Sequence, residues 1–441
     1  MNLSPRRSRR DTDPGSEERA GDAKPTPATD GLLVRFRALL TRPRVAGAAG
    51  WSVVARFPVY LMSLAMVLTI REQGGSYAQA GLIAALYTVG MALGSPLIAR
   101  RLDRSGRRGV LIGTGLAYPS TLATLVWATE PGSWAQPLLA VAAGVVLPPT
   151  NACMRSWWAR MPLADAERET AYLWEALLTE VLVIGAPLML AALMLVGSAG
   201  SALTTVAVIG GVGALGLAFV RLPAGTDAAA ASDPREAEAH SRDGPRHVLR
   251  DPAMLVLVGI MAACSVPVGL MTLAIPAFVS AHGSSGGTGV VYACWGVGSA
   301  VGALWLGRAQ SQVAVHVRFP RLVLAYAVGT GLTVLVTSPA TLAVALAVGS
   351  LPIALVSANE MTLVSTLADR RLLAEAFTWA SLATVLGDAV GQQAGGLLMD
   401  PIGPRGVFAV AFGVALAGAG LAFAGRRLLA REAVAPETHA T

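Results

Sequence analysis

The chain has 441 residues, of which 54% are hydrophobic and only 14% charged, and its mean hydropathy is +0.57. A soluble protein of this length carries charge on about a quarter of its residues, so soluble multi-domain folding is excluded at the first count. The net charge of +7 does not point to nucleic acid, because the arginines sit in short stretches between long apolar runs, the pattern of a polytopic membrane protein.

The first 30 residues are polar and Pro-rich, with Arg6, Arg7, Arg9 and Arg10 early. They read as a disordered tail and not as a cleavable signal peptide. The tail is taken as residues 1–45, and its end (Arg35, Arg37, Arg42 and Arg44 among apolar residues) reads as an amphipathic helix on an anionic membrane surface. A bilayer core of roughly 30 Å requires about 20 helical residues, and backbone groups cannot be left unpaired in lipid. Apolar runs of this length predict spans 1 to 6 near 47–70, 77–99, 109–128, 134–154, 171–196 and 201–221. Spans 7 to 12 follow near 253–280, 288–307, 321–337, 339–358, 374–398 and 406–425. Between them, 222–252 contains Asp227, Asp233, Pro234, Glu236 and Glu238 and reads as a solvated linker. The expected fold is an all-α membrane protein with about twelve transmembrane helices in two pseudo-symmetric six-helix bundles, 46–221 and 253–428, with a tail over 429–441.

Connections on one side carry few cations, Arg71 and Arg405. Those on the other carry Arg100, Arg101, Arg104, Arg107 and Arg108, then Arg155, Arg160 and Arg168, then Arg308, Arg318, Arg321, Arg370 and Arg371. Both termini and the linker share the second side, which the positive-inside rule makes cytoplasmic in a plasma-membrane protein.

The halves also align with each other. A shift of 208 positions lays Gly81, Ala85, Val89, Gly90, Ala92, Gly94 and Arg100 on Gly289, Ala293, Val297, Gly298, Ala300, Gly302 and Arg308. A shift of 205 lays Ala171, Trp174, Leu177, Thr179, Leu193 and Met194 on Ala376, Trp379, Leu382, Thr384, Leu398 and Met399. Two windows with nearly one offset and one span order predict a parallel repeat of six helices, an architecture of secondary transporters.

Between spans 2 and 3 stands Arg101-Leu102-Asp103-Arg104-Ser105-Gly106-Arg107-Arg108. This stretch resembles the cytoplasmic loop signature of the major facilitator superfamily, with Ala99 where the family has its first glycine. The resemblance covers about 47–425 and implies a transporter in which Asp103, Arg104, Gly106, Arg107 and Arg108 form a charge latch that helps hold the outward-facing state; plain inside-positive loop charges are the other reading. Gly106 also permits a turn of either backbone sign. Gly185-Ala186-Pro187 in span 5 resembles a degenerate glycine–proline motif of drug–proton antiporters, with Leu190 and Ala191 in place of its paired glycines; a packing role for these residues is the other reading. The whole pattern is similar to actinobacterial efflux-type members of the superfamily.

Ionisable groups inside the hydrocarbon usually have partners or line a cavity. Arg56 in span 1 and Glu180 in span 5 lie at similar depth and are expected to pair, as a fixed bridge or as a switch. Glu175 is expected to pair with Arg155 at the mouth of the bundle. Asp388 in span 11 has no cation at its depth and is the best single candidate for a proton carrier, with a hydrogen bond to Gln392 or Gln393 as the alternative. Glu360 and Asn359 are placed at the solvent-reached inner end of span 10, and Trp134, Trp157 and Trp158 in an interfacial belt. Tyr60, Tyr87, Asn151, Trp174, Trp295, Trp379 and Gln392 are candidate cavity residues, and such a lining suits an amphipathic organic substrate. Cys153, Cys264 and Cys294 lack metal-ligand spacing, and the five histidines fall in loops or tails with no nucleophile beside them, so no enzyme activity, cofactor or metal is expected. The function expected is proton-coupled export of a small amphipathic compound by a monomer in the bilayer. A nutrient importer and a non-transporting scaffold of the same fold are the alternatives.

Overall fold

The structure, a computed structural model, describes residues 32–41, 43–161, 163, 165–220, 250–283, 287–308, 313–368 and 372–430. The tail before residue 32, the linker through 249 and the tail after 430 lie outside the described residues. Ten of the described helices are long and apolar enough to cross a bilayer. One of these, Glu375–Leu429, is two crossings, because Gly403 at φ 67° breaks it. Val315–Gly331 with the 3-10 turn Leu332–Leu335 adds the ninth span. The fold is therefore all-α, with about twelve crossings in two halves.

Span 1 is Pro43–Glu72. Spans 2 and 3 share Tyr77–Trp127, divided at Gly106, whose φ of 72° is a conformation glycine adopts without steric cost. Span 4 is Ala135–Val145 plus Thr150–Arg160, interrupted at Pro148 and Pro149. Span 10 is Pro339–Gly349 plus Ile353–Leu367, interrupted at the equivalent place by Pro352. A proline's missing N–H and fixed φ account for both breaks. Spans 4 and 10 run past the ends expected near 154 and 358, because hydropathy marks where the apolar run stops and not where the helix does. Spans 5 to 8 are Asp165–Val196, Ala199–Phe219, Pro252–Ala281 and Thr288–Arg308. The amphipathic segment is helical over Leu32–Leu40. Its Phe36 meets the Trp174 ring edge-on at 5.8 Å and its Leu39 is buried, so this helix packs on the first half.

The core divides along the bilayer normal. At the arginine-poor end one cluster joins both halves: Leu61–Ile70 of span 1, Leu270–Val279 of span 7, Ala186 and Leu190 of span 5, Val291 of span 8 and Met399 of span 11 all belong to it. At the arginine-rich end there are two clusters. One holds only first-half residues, such as Ala48, Leu111, Trp158 and Leu217; the other holds only second-half residues, such as Leu257, Phe319, Leu363 and Ala380. The halves are thus packed together at the arginine-poor end and have separate cores at the other.

The repeated glycines have repeated jobs. A Cβ on Gly94 of span 2 would fall 2.5 Å from the Val145 carbonyl of span 4, and one on Gly302 of span 8 would overlap the Leu351 carbonyl of span 10. These glycines let paired helices touch within each half. A Cβ on Gly81 would fall 2.5 Å from the Gln392 carbonyl of span 11, and one on Gly289 would overlap the Pro187 carbonyl of span 5. This second pair sits where the halves meet. Overpacking such a contact costs about 1–3 kcal/mol, so Gly81→Val is expected to loosen the arginine-poor end. A cysteine placed at Ala78, which packs on Gly396, should then react with a water-soluble maleimide about tenfold faster, as a shift of about 1.4 kcal/mol predicts. An unchanged rate would contradict the role given to this contact.

Candidate functional site

Five charged or polar residues on three spans occupy the level at which the shared core gives way to the divided one. On span 1 the first-half cluster ends at Ala48 and the shared cluster begins at Leu61; Arg56 lies between them. On span 5 the gap between Ala171 and Ala186 holds Glu175 and Glu180. On span 11 the gap between Ala383 and Met399 holds Asp388 and Gln392.

Arg56 is 2% exposed, and its Nη1 lies 2.6 Å from Glu175 Oε2. The other oxygen, Glu175 Oε1, accepts from the indole Nε1 of Trp158 at 2.8 Å. The expected Arg56–Glu180 pair is therefore corrected to Arg56–Glu175. Matching depths by Cα position misses that a long helical side chain leans toward its own N-terminus, here toward the arginine-rich end where Glu175 waits. Glu175 is accordingly bound to Arg56, while the side chain of Arg155 lies outside the described residues. Trp157 and Trp158 are buried and not in a surface belt, because the carboxylate gives the Trp158 N–H a partner inside the bundle. Arg56 Nε and Nη2 have no hydrogen-bond partner among the described residues. This leaves two donors of a fixed cation with unused capacity at mid-depth.

Asp388 Oδ2 accepts from Gln392 Nε2 at 2.9 Å, and Gln392 Oε1 lies 3.3 Å from Thr88 Oγ1 of span 2, whose single hydroxyl proton is shared with the nearer Ala84 carbonyl at 3.0 Å. A carboxyl of the second half is thus tied through one amide to a hydroxyl of the first. Asp388 Oδ1 is shut from solvent and lacks a described partner. The backbone here is held close to span 7: a Cβ on Gly269 would overlap the Asp388 carbonyl. Glu180 is half-buried and makes no hydrogen bond or ion pair among the described residues. It shares a helix face with Val183, Ile184 and Pro187, which meet span 8 at Gly296 and Gly289; it therefore lies one turn below the contact between spans 5 and 8.

The remaining candidates are scattered. Tyr60 is half-buried against the shared core. Asn151 is exposed. Trp379 is 36% exposed, and its Nε1 donates to Glu375 at 3.3 Å. Trp174 is half-buried beside Phe36. Gln392 is buried and spans the two halves in place of lining an open cavity. Glu360 and Asn359 are buried, which corrects their placement at a solvent-reached helix end: span 10 continues to Leu367 and carries them inside, where Asn359 Oδ1 accepts from Arg318 Nε at 2.6 Å. In the loop signature, the side chains of Asp103 and Arg104 lie outside the described residues. Arg107 Nη2 donates to the Val220 carbonyl at 2.9 Å, and the Arg108 guanidinium lies 4.8 Å over the Phe219 ring. These two arginines hold the end of span 6. Thr88 and Gly269 were missed by sequence reasoning; one is a hydroxyl among many, and the other is a glycine outside the repeat windows.

The sequence model of the Major Facilitator Superfamily matches residues 48–329. The chain belongs to the major facilitator superfamily. No curated protein matches its sequence. Among solved structures this superfamily member is similar to the nucleoside transporter NupG, with a TM-score of 0.69 at 11% identity over 87% of this chain and 99% of that one. It is similar to a POT family transporter in complex with 5-aminolevulinic acid, with a TM-score of 0.66 at 11% identity over 88% and 96%. It is also similar to a bacterial homologue of the iron transporter ferroportin in an inward-facing state, with a TM-score of 0.61 at 14% identity over 90% and 99%. At these identities the likeness is one of fold. As a member of the superfamily the chain is a multi-pass membrane transporter of small molecules and not an enzyme.

Proposed function

We propose that this superfamily member is a proton-coupled exporter of a small amphipathic organic compound, working by alternating access with its arginine-rich end in the cytoplasm of a plasma-membrane setting. The observation that carries this reading is the polar link at mid-depth: Asp388 to Gln392 to Thr88, joining the halves where their common core ends. Opening the arginine-poor end requires Thr88 to leave Gln392 and Gly81 to leave Gly396. A carboxyl in that link changes what it offers its neighbours when it binds a proton, from acceptor only to donor and acceptor. Proton occupancy of Asp388 therefore biases which end opens, with Glu180 of the first half at the matching edge. The Arg56–Glu175 bridge lies within one half and serves as a fixed element.

The side reading follows from arginine placement, and with it the described state faces the cytoplasm. Export is supported by the resemblance of Gly185-Ala186-Pro187 to the antiporter motif and by its position: the Pro187 carbonyl and Ala191 abut Gly289 on the moving contact. Tyr60, Trp174 and Trp379 each offer an apolar body with a polar edge, the chemistry that suits an amphipathic ligand. The protein is read as acting as a monomer.

Proteoliposomes with an imposed pH gradient and a panel of amphipathic organic dyes test the reading. At least one dye is expected to move against its gradient and to dissipate the proton gradient as it does so. Uptake that persists unchanged with a proton ionophore present would contradict proton coupling.

A further inference from the structure

The arginine-rich ends of spans 9 and 12 enclose a cavity of about 320 Å³ that is separate from the polar stratum. Its walls are His316, Val317, Pro320 and Arg321 from the start of span 9 and Phe423, Arg426, Arg427 and Ala430 from the end of span 12. Three arginines thus border one space, each of them exposed, and no carboxylate stands among the described lining residues. Exposed guanidinium groups are free to turn toward an anion in that space, and arginine forks match phosphate oxygens.

The surroundings select the kind of anion. Val317, Arg321, Leu324 and Val328 are exposed along one face of span 9, and Leu416, Gly420, Phe423 and Arg427 along one face of span 12. Both stripes begin at the cavity and become apolar toward the bilayer centre. A free phosphate would use only the basic end of this surface. A phospholipid uses all of it, with its phosphate among the arginines and its acyl chains along the two apolar stripes. We infer that this cavity is a binding site for the headgroup of an anionic phospholipid. Basic recesses between transmembrane helices at the cytoplasmic level are suited to such headgroups.

The test is native mass spectrometry of the full chain, released from detergent with dioleoyl phosphatidylglycerol, dioleoyl phosphatidylcholine or inorganic phosphate. Retained phosphatidylglycerol adducts are expected, with phosphatidylcholine lost at the same collision energy. The triple variant Arg321→Gln, Arg426→Gln and Arg427→Gln should lower the retained anionic lipid by at least about fivefold, a loss of roughly 1 kcal/mol. A control of equal charge loss at the same end, Arg101→Gln, Arg108→Gln and Arg250→Gln, should keep it. Phe423→Ala, which leaves every charge in place, should weaken dioleoyl but not dihexanoyl phosphatidylglycerol. Equal losses in the control triple would overturn the site in favour of a general surface charge effect. Displacement of the lipid by millimolar inorganic phosphate would overturn the lipid assignment.

Discussion

Asp388→Asn is expected to fold normally and to lose gradient-driven flux by at least about tenfold, within the usual range of coupling between two sites. Asparagine keeps an oxygen for the Gln392 amide, so the link to Thr88 survives, but it cannot gain or lose a proton. Exchange of substrate between equal concentrations on both sides does not require net proton movement, and it should persist. That contrast separates a coupling residue from a merely structural one, since a structural defect would lower both activities. Parent-like driven flux in Asp388→Asn would remove Asp388 from the mechanism. The matching variant Glu180→Gln would then show whether the first-half carboxyl carries the proton.

Removing the carboxylate from Arg56 is expected to give the largest stability loss. Glu175→Ala leaves a 2% exposed guanidinium without its partner at 2.6 Å and takes the acceptor from Trp158. Breaking one side of a buried ion pair costs about 3–5 kcal/mol. The loss should appear as a lower midpoint of thermal unfolding in detergent. Glu180→Ala should leave that midpoint near the parent value, because Glu180 makes no ion pair among the described residues. Replacing both members, Arg56→Leu with Glu175→Leu, should recover most of the loss, as removing a whole buried pair often does. A stable Glu175→Ala together with an unstable Glu180→Ala would reinstate the pairing expected from depth alone.

The features that were legible in the sequence are those encoded by periodicity and composition. Apolar run length located the crossings, and the 208-residue offset put Gly81 on Gly289 and Gly94 on Gly302. The structure gives each of these glycines the close helix contact of its repeat partner. Gly106 was legible because a turn between two apolar runs needs a residue indifferent to the sign of φ. Side-chain partnership was less legible. Arg56 chose Glu175 over Glu180 through the slope of its side chain, which residue counting does not carry. Trp158 looked like an interfacial residue until its burial and its bond to Glu175 were seen. The role of Gln392 depended on Thr88, 304 positions away in sequence, and no local pattern announces such a neighbour.

The proposed transport cycle requires the two halves to exchange which end is packed. Spin labels at Tyr172→Cys and Leu304→Cys report the arginine-rich ends of spans 5 and 8, and labels at Leu195→Cys and Val290→Cys report their arginine-poor ends, with Cys153, Cys264 and Cys294 replaced by Ala. Pulsed electron–electron distance distributions taken across a pH series, in lipid nanodiscs, test the exchange most directly. The account predicts opposite changes, with the arginine-rich pair drawing together under the conditions in which the arginine-poor pair moves apart. Distances that stay fixed in both pairs, or that lengthen together, would contradict it.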